Sequence, residues 1–248
     1  MILAAIKGQI TPPSDTIRII KAHDSSFLLK QSFPAVITSI FILALYSTVS
    51  SFSAFWGFEK TQTLELSYFP VFLISCILEC TRLGLSVFYT WQTSSSYLLV
   101  LGRIIIVARI LAPLSLLFAS LFNQAGHRQD TSRNILILFL ASISTGLFYP
   151  LNSNFTFSTC TVVWGYRTFF IVIRALIVIL TLSTFVISGI VHSTKQSFYL
   201  ASGCAVMLTG YFMLISADCW LFTILGTAFL IPGTVWYLTS LHKLYTWN

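Results

Sequence analysis

Charge is scarce in this sequence: Asp, Glu, Lys and Arg together make up 8% of its 248 residues, against about 25% in a soluble domain. A chain so poor in charge cannot clothe itself for water, which excludes a soluble globular protein as the fold class. Acids are scarcer still, 7 against 14 Lys and Arg, for a formal charge of +7. The cations are scattered rather than gathered into one dense basic face. That balance suits membrane lipids as partners and speaks against nucleic acid.

Patterns that carry chemistry are missing too. Cys76, Cys80, Cys160, Cys204 and Cys219 show no metal or redox spacing. His23, His127, His192 and His242 fall in loops or at segment ends, with no two on one helical face, so no metal is expected. There is no glycine-flanked nucleophilic serine, no phosphate loop and no pair of carboxylates within one segment. Hydrolase and phosphotransfer chemistry lack their parts, and the reading leans away from an enzyme and predicts no cofactor. Met1 to Gln31 holds Lys7, Pro12, Pro13, Arg18, Lys21 and Lys30 but no apolar core with a small-residue cleavage site, which argues against a signal peptide. The absence of an internal repeat weighs against an inverted-repeat transporter.

What the chain has in abundance is apolar sequence, 56% of its residues, with 22 Phe, 10 Tyr and 6 Trp. A helical crossing needs roughly 20 such residues in a row, because the hydrocarbon core is about 30 Å thick and a helix rises 1.5 Å per residue. Seven stretches serve: Phe33–Trp56, Tyr68–Trp91, Tyr97–Phe122, Ile135–Leu151, Phe169–Val191, Phe198–Ile215 and Cys219–Leu241. The expectation is an all-α polytopic membrane protein, a bundle of about seven transmembrane helices over residues 32–241 with no soluble domain. A polar leader occupies 1–31 and a short tail 242–248. Gln92–Ser96, His192–Ser197 and Ser216–Asp218 can only reverse the chain, so sequential helices pack antiparallel. Among internal connections, only Asn123–Asn134 and Asn152–Thr168 could hold something extra.

Orientation is undecided by charge, because the positive-inside count is tied between the two faces. The basic turn His127–Arg133 reads as a cytoplasmic loop and favours an outside N-terminus. The expected location is the plasma or cytoplasmic membrane.

Ionised residues inside crossings are the main functional clue, because each costs ~2.5–3.5 kcal/mol at a helix centre and must find a partner or a headgroup. The second crossing carries Glu79 and Arg82, the third Arg103 and Arg109, the fifth Arg174. Folding the second and third about Ser94 brings Glu79 level with Arg109 near the midplane. That predicts a structural ion pair, with Arg82 as the competing partner of Glu79. Pro113 frees the carbonyl of Arg109 and Pro232 that of Ala228, marking both as hinge candidates.

Arg82, Arg103 and Arg174, with Asp218 at the rim, form the candidate ligand-binding group for a carboxylate, a phosphate or an anionic headgroup. The plainer alternative is that the arginines snorkel and the pair only fixes packing. Cys160 and Cys219 fall on one face, where a disulfide requires an oxidising compartment. The functional expectation is a ligand- or lipid-responsive sensor or accessory subunit acting through another membrane or signalling protein. Its rival is a small transporter or permease for an anionic solute or lipid.

Overall fold

The computed structural model describes residues 32–57, 64–90, 95–122, 130–156, 160–191 and 195–246. The leader 1–31, the first three residues of the basic turn His127–Arg133 and the final two residues lie outside the described residues. The elements run α1 (Phe33–Gly57), α2 (Leu64–Leu78), α3 (Thr81–Thr90), α4 (Ser95–Phe122), α5 (Thr131–Phe148), β1 (Leu151–Thr156), β2 (Thr161–Trp164), α6 (Arg167–Val191), α7 (Lys195–Ile215) and α8 (Trp220–Thr246). Among the described residues seven spans are long and apolar enough to cross a membrane, α2 running into α3 as one of them. The chain is a helical membrane bundle.

The ends of these helices follow local chemistry. α5 starts at Thr131, where the Asn134 N–H reaches the Asp130 carbonyl at 3.1 Å. It stops at Phe148 because Tyr149, at φ −73° and ψ 126°, precedes Pro150, and a residue before proline is driven out of the helical region. The fourth crossing is therefore displaced toward the N-terminus relative to the sequence expectation, and Leu151 belongs to a strand. α8 continues past Leu241 to Thr246, so most of the expected tail is helical. α4 and α8 run through Pro113 and Pro232 without a break. The interruption falls instead in the second crossing, at Glu79 and Cys80, between α2 and α3.

α7 and α8 form the tightest pair, because glycines let their backbones meet. A Cβ on Gly203 would stand 2.9 Å from the Tyr237 nitrogen, and one on Gly233 would stand 2.6 Å from the Met207 nitrogen. The main core joins this pair to α1, α2, α4 and α6 through Leu43, Phe69, Phe72, Leu116, Phe185, Met207, Tyr211 and Tyr237. α4 is the centre of the other half, packing against α2, α3, α5 and α6.

The long connection after α5 holds an antiparallel hairpin, with Leu151 opposite Trp164 and Thr156 opposite Thr161. Val162 of β2 packs with Leu85, Leu98 and Ile105. Gly102 makes the fit close: a Cβ there would stand 3.2 Å from Val162 Cγ2 and 3.3 Å from Leu151 Cδ1. Cys160, at φ 49°, is buried beside Val36 and Ile40 of α1. Among the described residues no disulfide joins Cys160 to Cys219.

A buried cation cluster at the break in the second crossing

Between α2 and α3 the backbone tightens rather than opens. The Glu79 N–H still reaches the Ser75 carbonyl at 3.2 Å, but Cys80, Arg82 and Leu83 bond three residues back, to Ile77, Glu79 and Cys80, at 2.9, 3.1 and 3.0 Å. Bonds of that kind turn the chain more tightly than an α-helix does. Glu79 stands at this turn, with its carboxylate directed to α4. Arg109 Nε donates to Glu79 Oε1 at 2.9 Å, and Nη2 lies 3.5 Å from Oε2. Arg82 Nη1 stands 3.7 Å from Oε2, an ion-pair distance. Glu79 and Arg82 are fully buried and Arg109 nearly so.

Arg109 has a second acceptor. Its Nη2 reaches the carbonyl of Ile215 at 3.4 Å, and Ile215 ends α7. Terminal carbonyls of a helix have no partner in the helix and carry partial negative charge. The guanidinium thus joins three elements: its own α4, the turn after α2 and the end of α7. Glu79 and Arg109 do share one level, as the folding about Ser94 requires. That level is halfway along α4, yet it is the end of α7 and close to the first turns of α1, where Val36 and Ile40 meet Cys80 and Leu83.

Arg174 completes the cluster from α6. Its guanidinium carbon lies 4.9 Å from the Phe170 ring centroid and 5.4 Å from that of Phe212, a cation–π arrangement. Its Nε is buried without a hydrogen bond, and so is the hydroxyl of Tyr211. Arg174 is within electrostatic reach of Arg109, Tyr211 and Glu79. Tyr211, fully buried on α7, turns its ring edge to Phe72 at 5.6 Å. Nearby, Tyr149 donates its hydroxyl to the Tyr166 carbonyl and meets Phe170 edge-on at 5.3 Å. Partial burial raises that phenol above its ordinary range.

Glu79 thus stands at ion-pair distance from Arg82 and Arg109, with Arg174 within electrostatic reach. Of the six charged residues singled out in the sequence as an ion pair or a ligand group, four lie together here: Glu79, Arg82, Arg109 and Arg174. Arg103 does not, because its side chain is exposed on the outer face of α4. Asp218 lies in the turn before α8, half-buried, and its backbone carbonyl accepts the Ser32 N–H at 3.0 Å. Tyr211 carried no signal in the sequence, since a tyrosine in an apolar run is ordinarily core. Among the described residues no group of three His, Cys, Asp or Glu is placed to hold a metal. No family model matches the chain, and no curated protein matches it.

Proposed function

We propose that the bundle binds an anionic group, a carboxylate or a phosphate, against Arg82, Arg174 and Tyr211, and acts as a ligand-responsive sensor or accessory subunit of another membrane protein. The observation that carries this reading is the buried Arg174 Nε and Tyr211 hydroxyl, neither with a hydrogen bond, beside the Glu79 ion pairs with Arg82 and Arg109. A cation away from water is costly, and an anion beside Arg174 would lower that cost. It would also accept from the Arg174 Nε and the Tyr211 hydroxyl, both buried without a hydrogen bond. Because these groups sit on α3, α6 and α7, such a ligand draws three elements together. The tight turn at Glu79–Cys80 supplies a pivot through which α3 can respond.

Thermal unfolding of the detergent-purified chain, titrated with inorganic phosphate or with succinate, tests the site. A saturable rise in Tm that disappears in Arg174→Gln and weakens in Tyr211→Phe is the expected result. An identical titration in wild type and Arg174→Gln removes the proposal.

The transporter reading has one observation of its own, the interrupted second crossing. Discontinuous helices in transporters expose backbone groups at the substrate site. Reconstituted vesicles decide between the two readings: uptake of labelled phosphate, lost in Arg174→Gln, favours transport, whereas binding without flux favours the sensor.

A further inference from the structure

Arg103 and Arg167 pose a problem distinct from the buried cluster. Both side chains are exposed, yet Arg103 belongs to a membrane-spanning helix and Arg167 begins another. Neither has an ion pair among the described residues. The chain offers them little: α4, β1, β2, α5 and α6 contain no Asp or Glu, and between Glu79 and Asp218 the one acid is Asp130, at the far end of α5.

Their placement can be read from the packing. Ile106 and Ile110 turn toward Phe170 of α6, while Val107 faces Gly146 of α5, where an added Cβ would also stand 3.2 Å from the Arg103 carbonyl oxygen. Arg103 is one turn before these contacts, exposed where α5 and α6 flank α4. Since α4 and α6 run in the same direction, Arg167, three residues before Phe170, is level with Arg103, three residues before Ile106. Around that level Phe148, Tyr166 and Phe169 are exposed, and a tyrosine such as Tyr166 is typical of the boundary between headgroups and hydrocarbon. Below it the flanks turn Ile143 and Leu147 of α5 and Ile171 and Val172 of α6 outward.

We infer that this crevice holds an anionic phospholipid, its headgroup phosphate between Arg103 and Arg167 and its acyl chains along the exposed apolar flanks of α5 and α6. A guanidinium at headgroup depth pairs with a phosphate diester through charge-assisted hydrogen bonds, and a lipid is the source of phosphate that can also cover the apolar flanks. This site is separate from the buried cluster and does not depend on what the cluster binds.

The test uses the full chain exchanged into nanodiscs of phosphatidylcholine with a minor share of phosphatidylglycerol, followed by native mass spectrometry of the lipids it retains. Wild type retains phosphatidylglycerol over phosphatidylcholine, and Arg103→Gln with Arg167→Gln lowers that preference roughly thirtyfold, as two interfacial cations imply. Arg103→Lys with Arg167→Lys keeps most of the preference, which separates lost charge from lost fold. Arg133→Gln, at the opposite end of α5, leaves it unchanged. An unaltered preference in the double glutamine variant overturns the inference, and so does an equal loss in Arg133→Gln. Displacement of the lipid by millimolar glycerol phosphate would also overturn it, by showing that a soluble anion is the occupant.

Discussion

Arg109 Nε meets Glu79 Oε1 at 2.9 Å where the second crossing stops being an α-helix, so a buried ion pair sits at the turn between α2 and α3. Such a pair is expensive to break from one side. Glu79→Gln removes the carboxylate that Arg82 and Arg109 face, and removing one partner of a buried pair costs about 3–5 kcal/mol. Leu136→Ala, on an exposed face of α5, is expected to cost about 0.5 kcal/mol or less. Thermal or denaturant unfolding in one detergent compares them. Equal losses for the two variants would show that the pair holds nothing together. Glu79→Gln combined with Arg109→Gln should cost less than the sum of the single changes, because residues sharing an ion pair are not additive.

The α7–α8 contact makes a second, purely steric prediction. A Cβ on Gly210 would stand 2.7 Å from the Leu230 Cα and 2.8 Å from the Gly226 carbonyl oxygen, and backbone atoms cannot swing aside. Gly210→Ala should therefore destabilise by about 1–3 kcal/mol, the usual cost of overpacking. Gly84 is the contrast, because the nearest atom to its added Cβ is Leu101 Cδ1 at 3.5 Å, an ordinary contact with a side chain. Gly84→Ala, inside α3, should be neutral or gain up to about 1 kcal/mol of helix propensity. Matching Tm losses for the two alanine variants would contradict the packing.

Tyr46 ties the first helix to the last. Its hydroxyl is 2.6 Å from Thr234 Oγ1, and the Thr234 hydroxyl also bonds the Leu230 carbonyl at 2.8 Å. Tyr46→Phe keeps the ring and removes the bond, with an expected cost of about 1 kcal/mol. Thr234→Val removes the same bond from the other side. The two changes together should cost little more than either alone, read as Tm in the same detergent. Strictly additive losses would mean that the hydroxyls act independently.

The seven crossings were legible because long apolar runs leave no alternative once charge is so scarce. The pairing of Glu79 with Arg109 was legible as well, since a short turn after α3 forces an antiparallel hairpin and equal depth follows from counting. The break at Glu79–Cys80 was hidden, because neither residue is a proline or glycine and the apolar pattern runs on through Thr81. Arg103 was misplaced for a reason the sequence does contain. At about 100° per residue, six residues carry Arg103 about 240° around α4 from Arg109, so both cannot face one interior cluster. Leu98, whose neighbourhood reads as lipid-facing, is buried under the hairpin, and no hydropathy signal distinguishes hairpin cover from lipid. The hairpin had a local signal in the β-branched run Thr161–Val162–Val163, but a run so short does not declare its partner strand.

An odd number of crossings carries a prediction that does not depend on the cluster. Starting from Phe33, successive spans alternate in direction, so Ser32 and Thr246 must lie on opposite faces of the membrane. Ser32 shares its face with the turn at Asp218, which its N–H bonds, and with the hairpin of β1 and β2. Thr246 shares its face with the turns after α1, α4 and α6. Single cysteines introduced at Ser216 and at Ser132, both polar positions at helix ends, should be labelled from opposite sides of sealed vesicles by a membrane-impermeant maleimide, in a background where the native thiols are replaced. Labelling of both from one side would require an even number of crossings between them. In that case either α5 or α6, the two spans with the most lipid-exposed surface, would have to lie along the membrane instead of through it.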